Sequence, residues 1–350
     1  MKVLLLFTGG TISMVRDAET GALHPADMQT FKTFVPELFA GEVHVDMIPF
    51  DPLLDSSDLN PDNWRQMAHV VQENYDAYDG FVILHGTDTM AYSASALSFM
   101  LDNLCKPIVF TGSQLPVGVL RSDAKENLLT AIEIAAAYDS EGRAIVPEVT
   151  VYMDGELYRG NRATKRNAEH FSAFHSYNYP ALARAGVHIT YNRGLIQPMG
   201  NMARGLHVYE HFDTRVAILK LFPGITEEVV KAVLDIPDLR GVVLETFGSG
   251  NAPSHEWLYE RLHSAVERGI VIVNKTQCST GSVSMGQYAV SLNLLKAGVI
   301  SGYDITTEAL LTKMMHVLGE HGDDLVKMKK MLSVSLCGEM TVDDGVRFNV

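Results

Sequence analysis

Short apolar runs alternate along the chain with segments whose apolar residues recur every three or four positions. In the first half, the runs predict buried strands at 3–7, 43–48, 81–84, 108–110 and 149–153. Between these runs, Met90, Ala94 and Leu97 share one helical face, and a further helix is predicted over 123–137. Strands that alternate with helices predict an α/β domain with a mainly parallel sheet flanked by helices.

One helix start is marked clearly by its capping residues. Asn60 is a favoured N-cap residue, and Pro61 follows at the first helical position. An N–H there has no partner within the helix, so the lack of one in proline costs nothing. Apolar residues then fall on one face at Trp64, Met67 and Val71. We therefore predict a helix that begins at Pro61.

The pattern fades between Tyr191 and Asp213, where glycines and prolines punctuate the chain and indicate a linker. Alternation then resumes, with strands predicted at 216–221, 241–244 and 270–273 and helices predicted from Thr226 and over 254–268, 307–318 and 323–332. The sequence therefore predicts a large N-terminal α/β domain over 1–195, a linker over 196–213 and a smaller C-terminal α/β domain over 214–350.

Composition narrows the classes of function. Of the 350 residues, 47% are hydrophobic and 20% are charged, which is typical of a globular protein. The formal net charge of −14 argues against broad binding to nucleic-acid phosphates. Cys105, Cys278 and Cys337 are widely spaced and imply no disulfide framework or CxxC metal site, so reduced, mostly buried thiols are expected.

The apolar run at 3–7 is too short for the core of a signal peptide, and no small-residue cleavage site follows it. A buried strand is therefore the expectation for this segment. No apolar stretch approaches the roughly 20 residues needed to span a bilayer. We expect a cytoplasmic protein that does not bind a membrane.

Two loops after predicted strands carry unusual residues. Thr8–Thr11 (TGGT) follows the first strand, and His85–Thr89 (HGTDT) follows the strand at 81–84. Ligands of open α/β sheets bind beyond the carboxyl ends of strands, and glycines let backbone N–H groups approach a ligand closely. Neither loop matches a dinucleotide or Walker motif, and Gly-Thr turns at such positions are often purely structural.

Residue types alone leave the reaction open. The chain has no GxSxG elbow, no HExxH, no clustered Cys/His set and no specific carboxylate pair. A threonine hydroxyl is a weak nucleophile that needs a base, and a buried lysine near another hydroxyl could serve. Lys165 is one candidate, although most single lysines are simply solvated.

The sequence resembles the bacterial type I asparaginases along nearly its whole length. The matching blocks are TGGTI (Thr8–Ile12), DSSD (Asp55–Asp58), GFVILHGTDTMAYSASALSFML (Gly80–Leu101), TGSQ (Thr111–Gln114), YRGNRATK (Tyr158–Lys165), GSGNAP (Gly248–Pro253), TQC (Thr276–Cys278) and GEMT (Gly338–Thr341). TGGTI followed by HGTDTM is a specific combination. The resemblance implies a cytoplasmic L-asparaginase that converts L-asparagine to L-aspartate and ammonia with a threonine nucleophile and no metal or organic cofactor.

The resemblance also implies catalytic roles for single residues. Thr11 corresponds to the attacking threonine, and Thr87, Asp88 and Lys165 correspond to the second threonine with its aspartate and lysine. Lys165 would help to deprotonate a hydroxyl, and Asp88 would bind the α-ammonium of the substrate. Backbone N–H groups of Thr11 and Thr87 would form the oxyanion hole, where negative charge develops.

Further positions are implied to bind the substrate. Ser56 and Ser57 would hold the α-carboxylate and the nearby amine, and Ser113 would contact the side-chain amide through its backbone. The family forms homodimers or homotetramers with sites at subunit boundaries, so Asn251 is expected to reach the site of a neighbouring subunit.

Two departures from the family pattern affect these expectations. Relatives commonly carry a tyrosine on the loop after TGGTI, whereas residues 13–25 contain none. Tyr288 is the predicted substitute, with a packing role as the alternative, and His24 also lies in the loop. Allosteric relatives place an arginine where this chain has Glu245, so the regulatory pocket that Thr164 and Cys278 would help to form is expected not to bind a second asparagine.

Two other functions are consistent with the same fold. One is the asparaginase-like subunit of a tRNA-dependent amidotransferase, for whose extra domain the 350 residues are expected to leave no room. The other is an amino-acid sensor without catalysis, against which the intact set of Thr11, Thr87, Asp88 and Lys165 argues.

Overall fold

The structure is a computed structural model of the chain and describes residues 1–16, 23–25, 31, 33–39, 41–285 and 289–342. The chain divides into two compact units, the first ending at Tyr209 and the second beginning at Glu210. The boundaries expected from the sequence, with a linker over 196–213, stay a prediction.

The first unit contains fourteen strands among its described residues: β1 (Lys2–Gly9), β2 (Met14–Arg16), β3 (Leu23–Pro25), β4 (His44–Leu54), β5 (Gly80–Leu84), β6 (Leu101–Asp102), β7 (Ile108–Thr111), β8 (Val149–Met153), β9 (Glu156–Arg159), β10 (Thr164–Lys165), β11 (Phe174–His175), β12 (Ala183–Ala185), β13 (Ile189–Tyr191) and β14 (His207–Val208). Its described α-helices are α1 (Pro61–Glu73), α2 (Met90–Met100) and α3 (Ala124–Ala135).

One large sheet forms the centre of this unit, in the order β13-β12-β9-β8-β7-β5-β1-β4. Strands β4, β1, β5, β7 and β8 pair in parallel, and the remaining neighbours pair antiparallel. Strands β1, β5, β7 and β8 are buried almost throughout, as expected for parallel strands with covered faces, whereas β4 at the edge of the sheet is partly exposed. On one face, Leu5 and Val82 pack in a core with Leu128 and Ala131 of α3.

Helix α1 begins where its capping residues place it, which confirms the predicted start. The Asn60 side chain accepts a hydrogen bond from the Asp62 backbone, and the Asn63 side chain accepts one from the Asn60 backbone. This reciprocal pair satisfies donors that a helix start leaves unpaired. Trp64 and Met67 then face the interior, as their spacing predicts.

The second unit is a smaller α/β body. Its described strands and α-helices are β15 (Val216–Lys220), β16 (Gly241–Thr246), β17 (Val271–Thr276), β18 (Ile300–Ser301), α4 (Glu227–Leu234), α5 (Glu256–Glu267), α6 (Ala289–Lys296), α7 (Thr307–His321) and α8 (Leu325–Ser333). The four strands form a parallel sheet in chain order. Val242 points into the core with Leu258 of α5, and its neighbour Val243 points into the core with Met314 of α7. Both faces are therefore covered, as the period of a strand predicts.

The fold class predicted from the sequence is confirmed. The first unit has a large, mainly parallel sheet with helices, and the second unit has a smaller parallel sheet of its own. None of the three cysteines forms a disulfide, as expected, but only Cys105 is buried, while Cys278 is exposed and Cys337 is half-buried. The expectation of mostly buried thiols was therefore wrong. Within the part of the chain that the structure describes, no helix is long and apolar enough to cross a membrane.

Candidate active site

The order of strands places the two threonine loops side by side. The chain leaves β1 for β4 on one side and then returns to β5 on the other, so the strand order changes direction at β1. Phe7 of β1 pairs in register with Leu84 of β5, and the TGGT and HGTDT loops follow directly. Crevices beyond the carboxyl ends of strands at such a switch point are where open α/β sheets bind ligands.

The two loops touch through glycine backbones. Gly10 has φ +85°, and a Cβ built on it would lie 2.4 Å from the Gly86 Cα. A Cβ on Gly86 would lie 2.5 Å from the Ser56 hydroxyl oxygen. No side chain larger than hydrogen fits at either position, so the glycines bring the segments of Thr11, Ser56 and Thr87 together.

Thr87, Asp88 and Lys165 form a hydrogen-bonded group. Lys165 lies on β10, and its Nζ donates to the Thr87 hydroxyl and to an Asp88 carboxylate oxygen, each at 2.7 Å. Thr87 is 7% exposed and the Lys165 side chain 17%, whereas the Asp88 side chain is 67% exposed. The lysine thus joins a buried hydroxyl to a carboxylate that is open to a ligand.

Gln114 completes this group, although sequence reasoning gave it no role. The Thr87 hydroxyl donates to Gln114 Oε1 at 3.2 Å, and Gln114 Nε2 donates to the His170 carbonyl at 3.1 Å. The Asp123 carboxylate accepts from the Gln114 backbone N–H at 3.0 Å and fixes the turn. In the sequence, the available signal for Gln114 was that TGSQ directly follows the strand predicted at 108–110, and so lies at the same edge of the sheet as the two threonine loops.

The serines predicted to bind substrate lie on turns near the glycine contact or after β7. Ser56 is 4% exposed, and its carbonyl accepts from the Thr89 hydroxyl at 2.6 Å. The backbone N–H and the hydroxyl of Ser57 both donate to Asp55, and these bonds hold the pKa of that carboxyl below its usual value. The buried Ser113 hydroxyl donates to the Leu115 carbonyl at 2.5 Å, which leaves its backbone as the group for a ligand.

Thr11 begins a short 3-10 turn, Thr11–Ser13, and is half-buried. Ser13 secures the turn because its hydroxyl and its backbone N–H both donate to the Gly10 carbonyl, at 2.6 and 3.0 Å. Thr11 therefore stands beside the Thr87 group through the contact of Gly10 with Gly86.

Two other predicted residues lie elsewhere or are not described. Asn251 belongs to the second unit, where its backbone pairs with Phe247. Tyr288 lies outside the described residues. The backbone of His24 pairs with Val15 across β2 and β3, and the structure describes no more of it.

Glu245 lies on β16 in the second unit and is 7% exposed. Its Oε1 accepts from the Thr307 hydroxyl at 2.8 Å, and its Oε2 is 3.6 Å from Lys220 Nζ. Lys275 pairs with it in register on β17, and burial lowers the pKa of that lysine although Glu245 opposes the shift. The carboxylate is thus already held by groups of its own unit.

Comparison with known proteins identifies the family. A family model described as "Asparaginase, N-terminal" matches residues 2–197, and one described as "Glutaminase/Asparaginase C-terminal domain" matches residues 215–332. The chain belongs to the asparaginase family. The predicted resemblance is confirmed, and the chain is an enzyme of the amidohydrolase class.

Similar proteins cover the chain almost completely. L-asparaginase 1 of Escherichia coli (strain K12) is 43% identical over 344 residues, which is 98% of each chain. The crystal structure of L-asparaginase I from Vibrio cholerae has a TM-score of 0.87 and 40% identity, covering 97% of this chain and 99% of that one. The human 60 kDa lysophospholipase is 42% identical over 363 residues, covering 97% of this chain and 61% of that protein.

Replacing Gly10 by alanine should destabilise the protein more than the same change at Gly142. Both glycines have positive φ, +85° and +74°, so both alanines meet backbone strain of about 1–3 kcal/mol. Only at Gly10 does the new methyl meet backbone; nothing lies within 4 Å at Gly142. Overpacking adds about 1–3 kcal/mol. Denaturant unfolding of the two variants should show this difference, and equal losses would show that the loops are not in tight contact.

Proposed function

We propose that this member of the asparaginase family is an L-asparaginase, which hydrolyses the side-chain amide of L-asparagine to L-aspartate and ammonia with Thr11 as nucleophile. The observation that carries the proposal is Nζ of Lys165, which is bonded to the Thr87 hydroxyl and to the open Asp88 carboxylate beside the two glycine loops. The similarity to L-asparaginase 1 of Escherichia coli supports the choice of substrate.

The chemistry of the substrate fits the charges of the site. Asparagine is a zwitterion that carries an amide, so it needs an anion for its ammonium and hydrogen-bond donors for its carboxylate. Asp88 is exposed enough to meet the ammonium. On the adjacent turn, Ser56 supplies a hydroxyl donor for the carboxylate, and Ser57 supplies another when its hydroxyl turns from Asp55 to the ligand. The backbone of Ser113 meets the side-chain amide.

The reaction proceeds in two steps. The Thr11 hydroxyl oxygen bonds to the amide carbon, and the C–N bond breaks as the nitrogen takes up a proton and leaves as ammonia. Water then attacks the resulting ester, the C–O bond to Thr11 breaks, and Thr11 regains its proton as aspartate departs. Backbone N–H groups of Thr11 and Thr87 stabilise the oxyanion in both steps. Lys165 and Thr87 act together in proton transfer, and Tyr288 supplies the aromatic hydroxyl for Thr11.

The same proposal includes the assembly and its place in the cell. We infer a homodimer or homotetramer in the cytoplasm, in which Asn251 reaches the site of a neighbouring subunit. No metal or organic cofactor takes part in the proposed steps.

Purified protein should release ammonia from L-asparagine, and Thr11→Val should abolish nearly all of that release. Valine keeps the shape of threonine but has no hydroxyl, so we expect a loss of at least ~10³-fold in kcat, as for other nucleophiles. Thr11→Ser is the matched control, because it keeps the hydroxyl, and it should retain more activity. A folded Thr11→Val protein with near-normal turnover would exclude Thr11 as the nucleophile. A wild-type protein that binds asparagine without releasing ammonia would instead be a sensor.

Lys165 and Thr87 should behave as one catalytic unit. Lys165→Met is expected to lower kcat by ~10²–10⁴-fold, the range for loss of a general base. Because Lys165 donates to the Thr87 hydroxyl, the double variant with Thr87→Val should be little worse than either single variant. Steady-state kinetics of the four proteins form the cycle. If the fold-loss in kcat of the double variant equals the product of the losses in the two single variants, the two residues act separately.

Glu245 leads us to expect no activation by the substrate itself. A regulatory asparagine needs a cation for its carboxylate, whereas at the corresponding position this chain has Glu245, a buried glutamate that accepts a hydrogen bond from Thr307. An effector that does not bind shifts no equilibrium between states. The initial rate should therefore rise hyperbolically with asparagine concentration, with a Hill coefficient near one. A sigmoidal curve in the wild type that becomes hyperbolic in Thr307→Val would contradict this expectation.

A further inference from the structure

His85 is a fully buried histidine directly before the Gly86–Thr87 peptide. Its Nδ1 lies 2.7 Å from the Gly86 carbonyl oxygen, and its Nε2 lies 2.8 Å from the Ser93 hydroxyl on α2. The Ser93 oxygen in turn accepts from the indole N–H of Trp64 on α1, at 3.0 Å. Neither the resemblance to asparaginases nor the proposed reaction gave any of these three residues a role.

The partners fix which atoms carry hydrogen. A carbonyl oxygen only accepts, so Nδ1 of His85 must be the protonated nitrogen. In a neutral imidazole Nε2 then accepts, and the Ser93 hydroxyl must donate to it. The indole of Trp64 only donates, which suits the remaining lone pair of Ser93. The chain of bonds from Trp64 to Gly86 therefore has one consistent direction.

Burial keeps the imidazole in this neutral form. The environment lowers the pKa of His85 to about 4, chiefly because burial disfavours the charged ring. The ring also packs edge-on against Phe110, with centroids 5.7 Å apart. The donor at Nδ1 and the acceptor at Nε2 thus persist at neutral pH.

The bond to the Gly86 carbonyl has a consequence for the next N–H group. A peptide unit is planar and trans, so its carbonyl and its N–H point in opposite directions. By holding the Gly86 oxygen, His85 fixes the direction of the Thr87 N–H. The Thr87 N–H makes no hydrogen bond within the described part of the chain. Thr87 directly follows Gly86, and its hydroxyl is bonded to Lys165.

We propose that His85 is a positioning residue for the oxyanion hole: its Nδ1–H holds the Gly86–Thr87 peptide with the Thr87 N–H directed at the reacting carbonyl, and Ser93 and Trp64 hold His85. The inference rests on the proposed function, since it needs Thr87 to supply an oxyanion donor. Glycine at position 86 has no side chain to restrict its own rotation, so the peptide depends on this bond for its direction.

Three variants and one control test the proposal through the split between kcat and KM. His85→Leu removes the donor and should lower kcat for asparagine by about 10²-fold, the effect of losing one oxyanion donor, while KM changes by less than about threefold. His85→Asn restores an N–H near Nδ1 and should recover at least tenfold of that loss. Ser93→Ala should lower kcat by roughly tenfold, because it removes the hydroxyl that donates to Nε2 and leaves the Gly86 carbonyl alone to select the Nδ1-protonated tautomer.

Ser95→Ala is the matched control for Ser93→Ala. Ser95 lies on the same helix, is equally buried, and its hydroxyl has no hydrogen-bond partner within the described residues. Its kcat and KM should match those of the wild type. If Ser93→Ala and Ser95→Ala lose equal activity, or if the His85 variants change kcat only in proportion to their folded fraction measured by near-UV circular dichroism, His85 serves packing and the proposal is overturned.

Nitrogen-15 NMR of the imidazole gives a readout that does not depend on catalysis. The wild type should show neutral His85 protonated at Nδ1, and Ser93→Ala should shift the signals towards a mixture of tautomers. A wild type protonated at Nε2 would overturn the positioning role even in an active enzyme. A wild type with the expected tautomer but no ammonia release would instead refute the proposed function, and with it the role assigned to the Thr87 N–H.

Discussion

The candidate site depends on the contact between the backbones of Gly10 and Gly86. Parallel pairing of β1 with β5 ends both strands at the same edge of the sheet, but pairing alone leaves the two loops free to diverge. The glycines remove that freedom, because a methyl group at Gly10 would occupy the position of the Gly86 backbone. The proposed nucleophile and the Thr87 group are therefore held together by steric fit between main chains and not by a bond between their own side chains.

Three polar side chains surround this contact, and each has a separate task. Nζ of Lys165 donates to both the Thr87 hydroxyl and Asp88. The same hydroxyl donates to Gln114, and His85 binds the Gly86 carbonyl of the peptide that precedes Thr87. In a buried site an unpaired donor or acceptor is costly, so these bonds define one arrangement of Thr87. In the proposed mechanism, Lys165 and Gln114 orient the Thr87 hydroxyl, and His85 orients the Thr87 N–H separately.

Much of the fold was readable from the sequence because it depends on local periodicity. Apolar runs predicted the parallel strands of the large sheet and the first three strands of the small one, and Asn60 marked the start of α1. They did not predict β9, β12, β13 or β18, which are short or less apolar. The contact of Lys165 with Thr87 was expected only from family resemblance, since 78 residues separate them and no spacing rule joins β10 to the HGTDT loop. Gln114 and His85 lay inside the matching blocks, but a hydrogen-bond partner on another element leaves no periodic trace in the chain.

The site and the stability of the fold rest on different ion pairs. Asp88 is largely exposed, and exposed pairs such as Lys165–Asp88 contribute about 0–1 kcal/mol to the free energy of unfolding. In the second unit Lys313 and Glu339 meet at 2.7 Å with neither side chain exposed, and removing one partner of such a pair costs about 3–5 kcal/mol. The Lys165–Asp88 pair therefore contributes too little to the free energy of unfolding for folding to explain its presence. Its geometry instead suits the proposed reaction, because the Asp88 carboxylate stays open to a zwitterionic ligand while the largely covered Lys165 Nζ holds the Thr87 hydroxyl.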